Sequence, residues 1–181
     1  MYKNTQIIAE VKTKSPFGYT AKNTWGELFE VANTIGDIVS IHTDSRWGGS
    51  FELITQARKL TKKPILAKGI HKSDDEITKA LQCGADFVLV VGRIPKIENE
   101  KCFIEPLTLA ELVLIPTTQK VVWNSRDLTD GSLKSEIFDD ARKKFGGWLC
   151  QASNIKTTND IKEGADAVLV GTHLLDFAKT I

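Results

Sequence analysis

The sequence predicts an α/β protein in which eight parallel strands close into a (β/α)8, or TIM, barrel that forms a single domain over residues 1–181. Eight short, mostly apolar segments recur along the chain, and most of the segments between them have the apolar spacing of helices. Nearly continuous apolar strands are typical of a parallel sheet that is buried on both faces. An open, doubly wound sheet is the alternative. That fold usually has fewer strands, and its Gly-x-Gly-x-x-Gly motif does not follow the first strand here.

The predicted strands follow one another at regular intervals. The fourth is the clearest, because all of its residues are apolar. A strand of that kind fits a position where both faces of the sheet are covered. The eight segments are residues 7–11, 38–42, 64–68, 87–91, 102–105, 121–123, 148–151 and 167–171.

Capping residues mark the ends of several predicted helices. Thr24 and Ser50 can cap the first two, and Ser73 with Glu76 has the spacing of a capping box. Gly84 is expected to end the helix that begins after Ser73. Other predicted helices cover residues 25–33, 51–60, 135–145 and 173–179, with one or two turns at 158–163.

The connection between strands four and five is too short for a normal helical crossover. It spans residues 92–101 and contains Pro95, whereas parallel crossovers need about a dozen residues or more. We therefore expect this helix to be reduced to a loop. The 181 residues also fall below the roughly 200 to 400 that are usual for this fold, and no N-terminal extension is expected before the first strand.

The composition excludes several classes of partner. The 24 Lys and Arg residues are balanced by 23 Asp and Glu residues, so no broad basic face for nucleic acid or a membrane surface is expected. The first residues have no apolar signal core, and no apolar run approaches the roughly 18 residues of a membrane span. A cytoplasmic protein is expected.

Metal and cofactor chemistry is not indicated. The three cysteines and three histidines are widely spaced, with no Cys-x-x-Cys and no metal-ligand spacing. We expect no metal, no cofactor and free thiols in a reducing compartment. The oligomeric state is not encoded in any pattern that we can interpret.

Charged and polar residues end several predicted strands, where the active site of such a barrel lies. Glu10 and Lys12 are two residues apart and therefore face the same side of the first strand. Lys68, Glu105 and Asn124 belong to the third, fifth and sixth strands. Their convergence at one mouth would give an acid–base cluster with positive charge to hold anions.

Each of these residues also has a simpler structural explanation. Glu10 and Lys12 could form an ion pair at the barrel rim, and Lys68 could be a solvated lysine. Asn124 could belong to an Asx turn. Similarly, Gly171 at the end of the eighth strand could serve only to let the chain turn.

Small residues follow the last two strands, where barrels of this type often bind phosphate. Ser153 and Asn154 follow the seventh strand, and Gly171 and Thr172 end the eighth. Small residues expose backbone N–H groups, which bind anions. A phosphate group is therefore expected here.

Six segments resemble the indole-3-glycerol phosphate synthase family. The resemblance extends from about residue 7 to residue 175; it is strong in strands one, two, three, six and eight, and weak at residues 92–120 and around strand seven. The matching segments are residues 8–16, 43–50, 64–68, 84–89, 124–128 and 167–171.

The resemblance implies catalytic roles for the clustered residues. Lys68 corresponds to the general acid at the substrate carbonyl, and Glu105 corresponds to a second carboxylate. Glu10 and Lys12 correspond to a carboxylate–ammonium pair beside the reacting centre, and Asn124 to a polar contact with the substrate. A lysine near other cations would have a lowered pKa and would be a better acid near neutral pH.

The resemblance also implies a binding site for a phosphosugar that carries an aryl ring. The family closes the indole ring of 1-(2-carboxyphenylamino)-1-deoxyribulose 5-phosphate, with loss of carbon dioxide and water, in tryptophan biosynthesis. Contacts to the substrate and its phosphate are expected at Ser15, Ser153, Asn154, Gly171 and Thr172. The aryl ring is expected among Pro16, Trp47, Leu89, Val91 and Leu128.

The chain departs from the family pattern at four positions near these residues. Gly69 stands where an acidic residue usually follows the lysine, Ile70 replaces an aromatic residue, and Ala152 replaces a glutamate. Asn154 replaces a glycine, but Asn tolerates left-handed backbone. Two alternatives therefore remain: a relative that is catalytically impaired or repurposed, binding a phosphate-bearing ligand or acting as a partner subunit, and another phosphosugar enzyme such as an isomerase.

Overall fold

The computed structural model describes residues 4–181 and confirms the closed barrel of eight parallel strands. Each strand pairs with the next in chain order, and the first pairs with the last, so the described sheet has no open edge. The strands are β1 Gln6–Val11, β2 Ile38–His42, β3 Ile65–Lys68, β4 Phe87–Val91, β5 Cys102–Glu105, β6 Lys120–Asn124, β7 Leu149–Ala152 and β8 Ala167–Val170.

Six α-helices lie outside the barrel: α1 Trp25–Ile35, α2 Phe51–Leu60, α3 Asp74–Gln82, α4 Leu109–Leu112, α5 Phe138–Lys144 and α6 Leu174–Ala178. Short 3₁₀ turns cover Ser45–Trp47, Asn99–Lys101 and Thr158–Asp160. Within residues 4–181, no helix combines the length and the apolar character that crossing a bilayer requires.

The helical segments between several strands are as short as the sequence predicts, or shorter. Asn99–Lys101, between β4 and β5, is a single 3₁₀ turn, which confirms the loss of that helix. Helix α5 begins at Phe138 instead of 135, because the chain before it forms a loop that Arg126 and Leu133 pin with an antiparallel bridge. The predicted turns at 158–163 are reduced to one 3₁₀ turn.

The predicted helix caps are confirmed in two of three cases. Thr24 and Ser73 each form a complete capping box with the glutamate three residues later. Ser50 lies at the N-cap of α2, but its side chain makes no cap hydrogen bond, so that prediction is wrong. Its backbone N–H instead donates to the carbonyl of His42 at 3.1 Å, which ties the start of α2 to the end of β2.

The strand residues alternate between two apolar cores. Ala9, Val39 and Ile104 belong to the core between the strands and the helices. Ile8, Leu66, Phe103, Val122 and others fill the barrel interior. Successive strand side chains point to opposite faces, so residues two positions beyond an interior residue also face inward. That rule places the charged ends of the strands above the interior core.

The amino-terminal end of the barrel is closed by a lysine among aromatic rings. The Nζ of Lys120, the first residue of β6, lies 4.8 Å from the ring centre of Phe87, 5.1 Å from that of Phe103 and 5.6 Å from that of Trp148. Cation–π attraction and ring packing stabilise this arrangement. Side chains therefore fill the barrel interior at its amino-terminal end.

Three aspartates lie just before β2, β4 and β8, and each accepts a hydrogen bond from a backbone N–H group of the preceding strand. Asp37 accepts a hydrogen bond of 2.8 Å from the backbone N–H of Ile7. Two other aspartates repeat the contact: Asp86 accepts from Ile65 at 2.8 Å and Asp166 from Leu149 at 2.9 Å. These bonds satisfy the N–H groups at the starts of β3 and β7 as well as the buried one at Ile7.

Asp37→Ala should lower the free energy of unfolding by about 1 kcal/mol, because the buried N–H of Ile7 loses its acceptor. Urea denaturation at neutral pH measures the difference. Glu30→Ala, at an exposed position on α1, is the matched control and should change stability by less than about 0.5 kcal/mol. Equal losses in the two variants would contradict a role for the aspartate.

Candidate active site

Two adjoining hollows open at the carboxyl ends of the strands. The larger has a volume of about 240 Å³ and the smaller about 30 Å³. Of the residues selected from the sequence, the larger hollow is lined by Glu10, Lys12, Ser15, Trp47, Lys68, Asn124, Leu128, Ser153, Asn154, Gly171 and Thr172. The smaller hollow shares four of these residues: Trp47, Lys68, Asn124 and Leu128. It is also lined by Leu89, Val91 and Glu105.

Glu10 lies at the centre of the charged residues and is only 3% exposed. Its Oε1 lies 3.1 Å from Nζ of Lys68 and also contacts Nε2 of His42. Burial opposes ionisation of Glu10, but the positive potential of Lys68 and Lys12, together with the hydrogen bond from His42, outweighs it and holds the pKa well below the ordinary 4.5. The carboxylate is therefore charged at neutral pH.

The alternative explanation of Glu10 and Lys12 as a structural ion pair is wrong. Both residues face the same hollow, but Nζ of Lys12 donates to Oγ1 of Thr172 at 3.1 Å. Lys68 and His42 are the groups that contact Glu10, because β2 and β3 bring their ends next to that carboxylate inside the barrel.

The two lysines have opposite pKa shifts. Burial lowers the pKa of Lys68, but Glu10 and Glu105 outweigh burial and leave it above the ordinary 10.5. The expectation of a lowered pKa is therefore wrong for Lys68, since carboxylates and not cations are its strongest charged neighbours. For Lys12, burial lowers the pKa below the ordinary 10.5; attraction to Glu10 opposes that shift, and repulsion from Lys68 and Arg126 adds to it.

Asn124 connects the second carboxylate to the loop after β7. Its Nδ2 donates to Oε1 of Glu105 at 2.8 Å, and its Oδ1 accepts from Oγ of Ser153 at 2.6 Å and from the N–H of Arg126 at 3.0 Å. Burial raises the pKa of Glu105 although Lys68 and Asn124 oppose that shift. Glu10 and Glu105 thus differ in acidity, which is the usual basis for separate acid and base roles.

The predicted anion site has a left-handed backbone and two cations nearby. Ser153 and Asn154 have φ values of 74° and 56°, so the expectation that Asn154 would accept left-handed backbone is confirmed. Thr172 and the ammonium of Lys12 lie at the same end of the larger hollow. Arg126 lines this hollow too, and its Nη2 donates to Oδ1 of Asn154 at 3.3 Å.

Gly171 is required by space and not by backbone conformation. Its φ is not positive, and a Cβ atom there would overlap Oε2 of Glu10. Gly69 is restricted in a similar way, because a Cβ atom would collide with Oγ1 of Thr43. The acidic residue that the family usually carries at that position could not be accommodated without displacing Thr43.

The apolar wall of the smaller hollow contains four of the five residues expected around an aryl ring. Trp47, Leu89, Val91 and Leu128 line it, whereas Pro16 is exposed and lines neither hollow. Pro16 lies at a turn of the loop after β1, which directs its ring to solvent. The hollow is therefore bounded by apolar side chains on one side and by Lys68 and Glu105 on the other.

Trp47 is held in place by contacts with three neighbouring side chains. The ring of His42 is parallel to it within 4° at 5.7 Å, and the guanidinium of Arg46 lies 4.9 Å from its centre. Asp44 holds Arg46 with a salt bridge of 2.6 Å, and Phe17 contacts Trp47 edge-on at 6.2 Å. The indole is thus held rigidly at the junction of the two hollows.

Some residues of the site were not selected from the sequence. Arg126 lies inside the segment that carries the resemblance, and His42 is a polar residue at the end of β2; both could have been found by the criteria that selected Lys68. Phe17 and Tyr19 line the larger hollow from the loop after β1, whose path only the fold determines. In residues 4–181, no group of three or more His, Cys, Asp or Glu side chains could hold a metal ion.

Comparisons with known proteins agree with the resemblance. A family model for indole-3-glycerol phosphate synthase matches residues 1–110. The indole-3-glycerol phosphate synthase of Pyrococcus furiosus is 31% identical, over 96% of this chain and 87% of the relative, and that of Campylobacter hominis is 27% identical, over 94% and 74%. A crystal structure of 3-hexulose-6-phosphate synthase superposes with a TM-score of 0.66, over 98% of this chain and all of the other, at 14% identity, a likeness of fold alone.

Lys12→Met should weaken binding of inorganic phosphate at least about tenfold, because a half-buried ammonium at the anion end of the hollow is lost. Isothermal titration calorimetry measures the dissociation constant. Lys14→Met removes an exposed ammonium two residues away and is the matched control. Equal weakening by both substitutions would argue against a specific anion site at Lys12.

Glu105→Gln should stabilise the protein more at pH 8 than at pH 4. Burial raises the pKa of Glu105 above the ordinary 4.5, so its ionisation costs more in the folded protein than in the unfolded chain. Glutamine does not ionise and can still accept the hydrogen bond from Asn124. The gain in unfolding free energy, measured by urea denaturation, should appear as the pH rises through the raised pKa. A difference that does not change with pH would contradict this.

Proposed function

Since the chain belongs to the indole-3-glycerol phosphate synthase family, we propose that it is a lyase of tryptophan biosynthesis. Its substrate is 1-(2-carboxyphenylamino)-1-deoxyribulose 5-phosphate, and it closes the indole ring with loss of carbon dioxide and water. The observation that carries the proposal is the position of Lys68, which lines both the polar hollow and the apolar hollow. A substrate with a phosphate at one end and an aryl ring at the other would present its carbonyl there.

The two ends of the site suit the two ends of this substrate. The phosphate binds near Lys12, Arg126 and Thr172, where charge and hydrogen-bond donors are available. The aryl ring lies against Trp47 and Leu89 in the smaller hollow. Fixing both ends of a flexible chain brings the aryl carbon close to the ketone carbon and so lowers the entropic part of the barrier to ring closure.

Proton transfer is divided among the groups around that carbonyl. Lys68 stays protonated at neutral pH and donates to the ketone oxygen as the aryl carbon attacks. Glu10 holds that ammonium through a contact of 3.1 Å. Glu105, whose pKa is raised, accepts a proton and assists the loss of water. Carbon dioxide leaves from the aryl carbon and restores aromaticity.

A binding protein without turnover is the second candidate function. Gly69 and Ala152 favour it, because both positions lack the acidic side chains that the resemblance leads us to expect. Such a protein would keep the anion site formed by Lys12, Arg126 and Thr172 and would hold a phosphate-bearing ligand without reacting it. The same experiment distinguishes the two functions.

Purified protein incubated with the substrate should produce indole fluorescence, and Lys68→Ala should lower kcat at least about a hundredfold, because the proton donor is lost. Steady-state fluorescence assays measure both. Lys72→Ala, at an exposed position four residues later, is the control and should retain activity. Binding of the substrate without product formation would exclude the lyase and support the binding protein.

A further inference from the structure

His42 is a buried histidine that the proposed reaction does not use. It ends β2, where it is paired in register with Lys68 of β3, and it is only 4% exposed. Interior positions at the ends of the other strands carry the catalytic candidates Glu10, Lys68, Glu105 and Asn124. His42 occupies the corresponding position on β2.

The hydrogen bonds of His42 define its protonation. Nε2 contacts Oε1 of Glu10, and Nδ1 is buried without a hydrogen-bond partner among the described residues. Burial lowers the pKa of His42 although Glu10 opposes that shift, so the ring is neutral at pH 7. A neutral imidazole beside an ionised carboxylate carries its one proton on the nitrogen that faces the carboxylate.

The two oxygens of Glu10 therefore have different surroundings. Oε1 accepts from both His42 and Lys68. Oε2 lies against the α-carbon of Gly171, where a Cβ atom would overlap it, and Gly171 lines the larger hollow. Without the donor on His42, the carboxylate could rotate and offer either oxygen to Lys68.

The imidazole itself has little freedom to move. Its ring is stacked on Trp47, Arg46 also contacts the Trp47 ring, and Asp44 holds Arg46. The stack connects the apolar wall of the smaller hollow to the carboxylate in the larger one. A rotation of His42 would break both the stack and the bond to Glu10.

We propose that His42 is a positioning residue that fixes the orientation of Glu10, so that one carboxylate oxygen holds Lys68 and the other stays open toward the sugar chain of the substrate. The proposal rests on the proposed function, because its consequence for catalysis concerns the same reaction. The hydrogen bond that it requires can be tested without any turnover.

Nitrogen NMR of protein labelled with ¹⁵N-histidine should show His42 at pH 7 as the neutral tautomer with the proton on Nε2. His42→Gln removes the signal and assigns it. His71 is an internal contrast with equal burial, because its Nδ1 contacts the carbonyl of Leu89 at 2.5 Å and should carry the proton. An imidazolium, or a proton on Nδ1 of His42, would overturn the proposal.

Steady-state kinetics against pH give the second test. His42→Leu should lower kcat about ten- to a hundredfold with a smaller change in KM. It should also move the acidic limb of the pH profile to higher pH, because activity requires both Glu105 and Glu10 to be ionised and Glu10 loses a donor that keeps it so. The other charged or titratable groups that face this pair are Lys12, Tyr19, Asp44, Lys68 and Glu105.

Two further variants separate positioning from simple packing. His42→Gln keeps an N–H donor and should recover most of the lost kcat and the native acidic limb. His71→Asn alters an equally buried histidine whose φ of 49° Asn tolerates, and it should leave the limb in place. A native profile in His42→Leu, or the same shift in His71→Asn, would overturn the proposal. If the protein without substitutions shows no turnover, the proposed function is contradicted. The NMR result would still decide the arrangement of His42.

Discussion

Glu10 is an ionised carboxylate inside the barrel, and an ion in that position is stable only where positive charge and hydrogen-bond donors surround it. Lys68 and His42 supply the donors, and Lys12 supplies further positive charge. Gly171 must lack a side chain because the carboxylate fills the space beside it. The charge of Glu10 therefore constrains which residue types can stand at the ends of four different strands.

This arrangement gives chemically similar residues different properties. Lys68 lies between two carboxylates and is held protonated, whereas Lys12 lies near Lys68 and Arg126 and loses its proton more easily. Glu10 stays charged while Glu105 resists ionisation. Two lysines and two glutamates thus become four distinct groups, as the proposed anion binding and proton transfer in one small cavity require.

The reduced connections do not disturb the site, because strand pairing and not the helices sets the register of the barrel. Only a 3₁₀ turn joins β4 to β5, yet Glu105 is paired with Val91 and reaches the interior at the carboxyl end. The resemblance is weakest across residues 92–120, so the position of Glu105 could be predicted from the family only with the support of the strand pattern. The closed sheet is what made that prediction hold.

The sequence by itself determined the eight strands, the missing helix and the set of polar residues at the barrel mouth, because the alternation of strand side chains is a local property. The tertiary structure decided which of those residues touch. It paired Glu10 with Lys68 and His42 instead of Lys12, and it turned Pro16 to solvent. Contacts and pKa shifts depend on distances between strands that are far apart in the chain and on burial, and neither is encoded in a local pattern.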